Sequence, residues 1–329
     1  MPIDVLSDVL RAVRLTGAVY FDFELTSPWV LEAPPSNEIV GKVMPGAQRL
    51  IEYHLIARGN GWGHVPGRPP IRLCEGDLLL LPQGDAHALS SEPGLRAPLD
   101  MSPFAQPFRE LPVAYQLGGG GPESARVVCC FLGFDERPYN PLLAALPKVI
   151  HLSASDPRSA AGWLGALLPI AAGESGRARA GGENVLSRFS ELIFVEAIRR
   201  YIEACPPTQT GWLAGLRDTT VGQALAAIHR DPADPWTVER LARLVGLSRS
   251  VFAERFTSIV GHPPMHYLAL WRMQVAARLL TDGGAVAAAA ATVGYESEAA
   301  FSRAFKKHVG HAPGTWRRHS VTSQAACAS

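Results

Sequence analysis

The side chains best suited to chemistry sit on three short apolar runs. Gly76-Asp77-Leu78-Leu79-Leu80-Leu81-Pro82-Gln83-Gly84-Asp85-Ala86-His87 reads as a turn, a buried strand, a Pro/Gly corner and an inward-directed histidine. Tyr53-His54-Leu55-Ile56-Ala57-Arg58-Gly59 carries a second histidine with no acid after it, and Val127-Val128-Cys129-Cys130-Phe131-Leu132 carries two adjacent thiols. Imidazole and thiolate bind transition metals, and a catalytic centre needs three or four such ligands around an open position. This chain offers His87, with His54 and Cys129 as further candidates. The expectation is therefore a hydrogen-bonded interior His87 with no metal and no cofactor; His54 and His87 are the ligands to test if an ion is held. A redox switch at Cys129-Cys130 is the rival chemistry, weakened because adjacent thiols form a strained disulfide and buried strand cysteines are usually inert. The chain has no Gly-x4-Gly-Lys-Ser/Thr, His-Glu-x-x-His or Gly-x-Ser-x-Gly, so phosphate-loop, metalloprotease and serine-hydrolase chemistry find no support.

The elements that must hold these residues change along the chain. Up to about residue 150 the apolar runs are short and broken by Pro and Gly, which fits strands of an antiparallel sandwich or barrel. Gly118 to Gly121 form a loop before the last of these strands, and Trp29, Trp62 and Phe131 are aromatic candidates to line an interior. From Arg158 the pattern turns helical, interrupted by the small and polar stretch Ala171 to Asn184. Val185 to Ile202 reads as one helix, apolar on most sides, which must be covered by the front domain or by a second subunit. Cys205-Pro206-Pro207 ends it.

From Val221 onward the chain is helical and repeats itself. Beyond the turn the offset is 49, mapping Ser248 to Ser297, Phe252 to Phe301, Phe256 to Phe305, Gly261 to Gly310 and Tyr267 to Trp316. Each copy (237–257 and 286–307) has the parts of a helix-turn-helix. Gly246 or Gly294 ends the first helix, Ser248 or Ser297 caps the second, and two phenylalanines at i and i+4 face the core. Met265 to Thr281 reads as the helix between them; at 1.5 Å per residue it spans roughly 25 Å. With the width of the flanking units added, that approaches the roughly 34 Å turn of a DNA duplex, so both second helices can enter adjacent major grooves.

These residues resemble the AraC/XylS family of transcription regulators. The resemblance is carried by Trp236-Thr237-Val238, Gly246-Leu247-Ser248, Arg255-Phe256, Gly261-His262-Pro263-Pro264 and Trp271-Arg272-Met273, and by Val293-Gly294-Tyr295-Glu296-Ser297 and Arg303-Ala304-Phe305-Lys306 with Pro313. It implies base reading by Arg249, Ser250, Ala253 and Glu254, beside Arg255, in the first unit, and by Glu298, Ala299, Ser302 and Arg303 in the second. Glu254 stands where many relatives carry Arg. Lys306, Lys307, Arg317 and Arg318 suit phosphates, which fix position without reading sequence. Relatives also place a bulky aliphatic residue within the stretch that here reads Ala287 to Ala291, so the second unit is expected to be the less stable. The segment Gly76 to His87 in turn follows the second cupin motif, Gly-x5-Pro-x-Gly-x2-His, whereas only His54 matches the first motif's His-x-His. The family thus implies a cupin-like sensor, with His54, Trp62, His87 and Cys129 as pocket candidates.

Composition fits this division. At 329 residues, 47% apolar and 19% charged, the chain suits a soluble two-domain protein and not a disordered one. The net charge of +1 excludes a uniformly basic coat, but residues 218 to 329 hold 12 Lys+Arg against 8 Asp+Glu, a balance of +4, leaving −3 in front. Five cysteines without a framework spacing, an acidic N-terminus and no long apolar run point to a cytoplasmic protein with reduced thiols and no membrane span. The resulting expectation is an α+β multidomain chain: a cupin-like antiparallel β-barrel sensor at 1–170, a linker at 171–217 with a dimerising helix at 185–202, and an all-α DNA-binding domain at 218–320. Its expected partners are double-stranded DNA, a small-molecule effector, a second copy of the chain and RNA polymerase, acting as an activator and not an enzyme. The rival class is a cupin metalloenzyme, or a redox-sensing regulator, with a DNA-binding tail.

Overall fold

The structure is a computed structural model that describes residues 4–13, 15–104, 112–156, 163–175, 180–204 and 211–318. Cys205-Pro206-Pro207, Cys327 and the expected helical onset at Arg158 lie outside the described residues. Two compact units form: Leu15–Asp135 with Leu146–Glu203, and Met1–Arg14 with Glu136–Ala145 and Ala204–Ser329. No helix among the described residues is long and apolar enough to cross a membrane.

The sheet-rich unit contains β1 (Thr16–Thr26), β2 (Val30–Ala33), β3 (Arg49–Arg58), β4 (Asn60–His64), β5 (Ile71–Cys74), β6 (Leu78–Leu81), β7 (His87–Ser90), β8 (Val113–Gly118), β9 (Ser124–Phe134) and β10 (Ile150–Leu152). Their order is β10-β6-β3-β9-β1-β8 in one sheet and β2-β7-β4-β5 in the other. The cupin-like domain is thus two sheets, not a closed barrel, and one pairing departs from the antiparallel expectation: β8 runs parallel to β1. An apolar core joins the sheets, with Phe21, Leu79, Leu89, Val127 and Phe131 among its buried members. The leucine run of β6 is buried at all four positions, as a strand covered on both faces requires.

Alternation decides which residues reach the interior. On β3 and β9, His54 pairs with Cys129 and Tyr53 with Cys130, so the two cysteines point to opposite faces. Cys130 and Tyr53 meet Ser190 on the outer face, at 3.2 and 3.0 Å. Ser190 belongs to the helix predicted at 185–202, which spans Gly182–Ala204. Its own sheet therefore covers one side of that helix through Ser190, while Val185 and Leu192 on it remain exposed.

In the helical unit, α1 (Val5–Ala12), α3 (Pro141–Ala145), α6 (Trp212–Arg217) and α7 (Thr219–Arg230) accompany the repeat; α2 (Ser36–Val43), α4 (Trp163–Ser175) and α5 (the helix carrying Ser190) belong to the sheet unit. The first helix-turn-helix is α8 (Val238–Leu244) and α9 (Arg249–Val260); α10 (Pro264–Thr281) connects it to α11 (Val286–Thr292) and α12 (Glu298–Val309). Ser248 and Ser297 accept the N–H groups of Val251 and Ala300, the capping expected of them. Phe252 with Phe256, and Phe301 with Phe305, are fully buried pairs at ring distances of 5.6 and 5.5 Å. Arg272 on α10 donates to the carbonyls of Pro232, Ala233 and Asp234 and so ties the loop before α8 to the connecting helix.

The two units are not equally held. Thr237 caps α8 through its hydroxyl, whereas Ala285 at the start of α11 offers no side chain. Where α8 buries Leu241, the corresponding residue of α11 is Ala289. A lost cap is worth about 1 kcal/mol and a smaller core residue more. Native-state hydrogen exchange of the full chain is expected to show protection in α11 and α12 at least several-fold below that in α8 and α9. Equal protection would show that the alanine stretch carries no penalty.

Candidate functional site

A cavity of about 490 Å³ lies in the sheet unit, lined from β1 by Phe21 and Phe23, from β2 by Leu31, from β7 by Leu89 and from β9 by Phe131. Trp29 and Phe104 complete much of its apolar wall. Its polar end is built by alternation on β3, which turns Glu52 and His54 to the same side, and by β7, which begins at His87. Cys129 arrives from β9 opposite His54.

These groups are close and buried. The Nε2 atoms of His54 and His87 are 2.5 Å apart, His54 Nδ1 lies 2.8 Å from Cys129 Sγ, and Glu52 Oε2 is 3.9 Å from His87 Nε2. His87 Nδ1 is 2.8 Å from the Asp85 carbonyl, to which it donates. Glu52 is wholly buried, and neither of its carboxyl oxygens has a hydrogen-bond partner among the described residues. Burial pushes the Glu52 carboxyl up to about 8 and the His87 imidazole down to about 4. It also holds His54 well below its usual range and keeps the Cys129 thiol protonated. Neutral imidazoles are the forms that can ligate a metal.

His54, His87 and Cys129, singled out from spacing, therefore meet at one end of the cavity. Trp62 is placed elsewhere: it lies under the Arg72 guanidinium, 5.3 Å from the ring centroid, and does not line this space. Glu52 was missed. The sequence expectation concerned an acid after His54; Glu52 stands two positions before it, on the same strand face by the two-residue period of a strand. Cys129 and Cys130, on opposite faces of β9, are not positioned to bond each other.

The candidate DNA-reading residues occupy α9 and α12. Ser250, Glu254, Glu298, Ala299, Arg303, Lys306 and Lys307 are exposed, while Ala253 and Ser302 are half-buried. Arg249 is exposed and ion-paired with Glu239 at 2.6 Å. Arg255 reaches Asp218, the residue that caps α7, also at 2.6 Å. Arg255 is thereby tied to its own domain, and the exposed cationic side chains of α12 are Arg303, Lys306 and Lys307.

Both parts of the chain are similar to known proteins. Residues 4–203 match the Cupin family and residues 241–319 the Helix-turn-helix domain family. An AraC-like transcription regulator of Streptomyces lividans is 36% identical over 282 residues, covering 83% of this chain and 88% of that protein. The HTH-type transcriptional regulator AlkR of Acinetobacter baylyi is 29% identical over 319 residues, 96% of this chain and all of that one. Among solved structures, the DNA-binding domain of AdpA in complex with a target DNA is 30% identical over 30% of this chain and 88% of that one, with a TM-score of 0.29.

Proposed function

Because the chain belongs to the AraC-like transcription regulators, with a cupin domain ahead of paired helix-turn-helix units, we propose that its cavity binds a small, largely apolar effector that controls how DNA is held. The carrying observation is the cavity itself, which has apolar walls, one cluster of polar groups and a volume within the range of about 300–1,000 Å³ common to small-molecule sites. The protein is a DNA-binding transcription regulator, and on this reading the pocket senses and does not catalyse. The division that goes with this reading is the one expected from the sequence: sensor at 1–170, linker at 171–217, DNA-binding domain at 218–320. A second copy of the chain on the exposed Val185 and Leu192 of α5, contact with RNA polymerase, activation of transcription and a cytoplasmic location complete it.

An effector must favour one of two arrangements to regulate anything. Selection of bound DNA from a random pool, followed by a metabolite screen on that complex, tests the whole reading. A ligand at a hundred times its Kd raises apparent stability by about 2.7 kcal/mol. A screen in which no compound shifts either melting or DNA affinity would remove the effector and leave a DNA-binding protein with a purely structural front domain.

For the reading helices, we propose Arg303 as a base contact and Lys307 as a phosphate contact. Arg303→Ala should cost about 1–3 kcal/mol on the selected site and relax preference at one or two positions. Lys307→Ala should weaken all sequences alike and reduce the salt slope by about 1. Both variants binding like the parent would displace α12 from the groove.

A further inference from the structure

We propose that His262, His266 and His308 form a surface site in the helical unit for one divalent ion of the zinc, nickel or copper class. Such an ion ties the connecting helix to the last turn of the second reading helix. The three histidines come from the turn between α9 and α10, the first turn of α10 and the last turn of α12. His266 is the middle ring. Its centroid lies 5.1 Å from that of His262 and 5.8 Å from that of His308, with the planes tilted by 58° and 53°.

Those spacings fit a shared ion. With metal–nitrogen bonds of about 2.0–2.1 Å and roughly 1.1 Å more to each ring centre, two imidazoles on a tetrahedral ion stand about 5.2 Å apart. His262 is steadied by Tyr139, which meets it edge to face at 5.4 Å. His266 is exposed, so its ring is free to turn a nitrogen toward an ion between the others. The repeat does not ask for two of the three. At the offset of 49, His266 corresponds to Thr315 and His308 to Ile259, so the helix-turn-helix pattern is built once without each of them.

The protonation states agree. Burial first, and then the neighbouring His266, hold both His262 and His308 below the ordinary imidazole range; Lys307 adds to this at His308. Protonated rings this close repel one another, whereas a metal takes the neutral form and joins them. A donor set of imidazole nitrogens selects Zn(II), Ni(II) or Cu(II) over Ca(II) and Mg(II), which take oxygen ligands. The bridge also falls where the helical unit is held least. α12 follows the helix that lacks a side-chain cap and buries Ala289, and an ion bound only by the folded chain stabilises it.

The test uses the full chain. Protein stripped with a chelator is dialysed at neutral pH against micromolar Zn(II), Ni(II) or Cu(II) in turn and assayed for metal, and its α12 amides are followed by hydrogen exchange. For at least one metal the parent should hold one ion more than His266→Gln or His308→Gln, each of which should bind it at least about tenfold more weakly. An ion held elsewhere in the chain cancels in this difference. With the ion, protection of α12 should rise several-fold in the parent and stay unchanged in both variants. Both side chains reach solvent, so in chelator the variants should melt like the parent, which checks that they fold. Equal uptake of all three metals by parent and variants would overturn the proposal. Uptake with no added protection of α12 in the parent would do so as well, and that reading stands even if a substitution disturbs the helix.

Discussion

Gly294→Ala is expected to cost the helical unit about 3 kcal/mol or more, whereas the equivalent Gly246→Ala costs about 1. Both glycines hold left-handed backbone, with φ of +77° and +72°, where an L side chain carries a penalty of roughly 1–2 kcal/mol. Their surroundings separate them. A Cβ at Gly246 would meet nothing within 4 Å, but at Gly294 it would lie 2.5 Å from the Ala233 carbonyl oxygen and 2.8 Å from the Ala233 Cα. Those are backbone atoms in a loop whose carbonyls Arg272 clasps, so they cannot swing aside as a side-chain tip would. Thermal unfolding followed by tryptophan fluorescence should show a fall of about 4–8 °C for each kcal/mol in a domain of this size. Equal shifts for the two variants would mean that the loop yields and that the turns are interchangeable.

The second large effect has the opposite sign. Glu52→Gln should stabilise the fold at pH 8 by roughly 4 kcal/mol, an order-of-magnitude figure from about 1.4 kcal/mol per pKa unit. The carboxyl is ordinarily near 4.5 and rises to about 8 on folding because burial disfavours its charge. A group that gains proton affinity on folding costs nothing below its unfolded pKa, and its cost grows as pH climbs toward the folded value. The advantage of glutamine should therefore vanish below about pH 4.5, grow up to pH 8 and level off above it. Chemical denaturation of both proteins at pH 5 and pH 8 measures it, and a gain independent of pH would remove the buried, proton-holding carboxyl.

What could be read from the chain depended on how local the determinants were. The helix-turn-helix pair was legible because caps, glycines and phenylalanines lie within a dozen residues and occur twice; Ser248, Ser297, Phe252 and Phe301 all take their expected parts. Strands with uninterrupted apolar runs, such as Leu78–Leu81, were also legible. β1 was not, because Asp22 and Glu24 break its apolar pattern; Asp22 is nevertheless buried, paired with Arg126 from the neighbouring β9. That partner is 104 residues away, beyond the reach of a periodicity argument. The parallel placement of β8 and the separation of the sheets are likewise long-range outcomes. At the site, His54, His87 and Cys129 were found by motif and residue type, while Glu52 was lost by looking only downstream. Trp62 was a candidate as an aromatic residue, and residue type does not say which side of a sheet a ring takes.

The β3–β9 wall has one further consequence. Tyr53 and Cys130 touch Ser190 on α5, and their immediate chain neighbours His54 and Cys129 face the cavity. Inside and outside are therefore one peptide bond apart. A rotation of β3 that moves His54 outward, by even a fraction of an ångström, must carry the Tyr53 hydroxyl with it, because the two share a backbone. Between the cavity and the helix beyond stands a wall one strand thick, with His54 on one face and Tyr53 on the other.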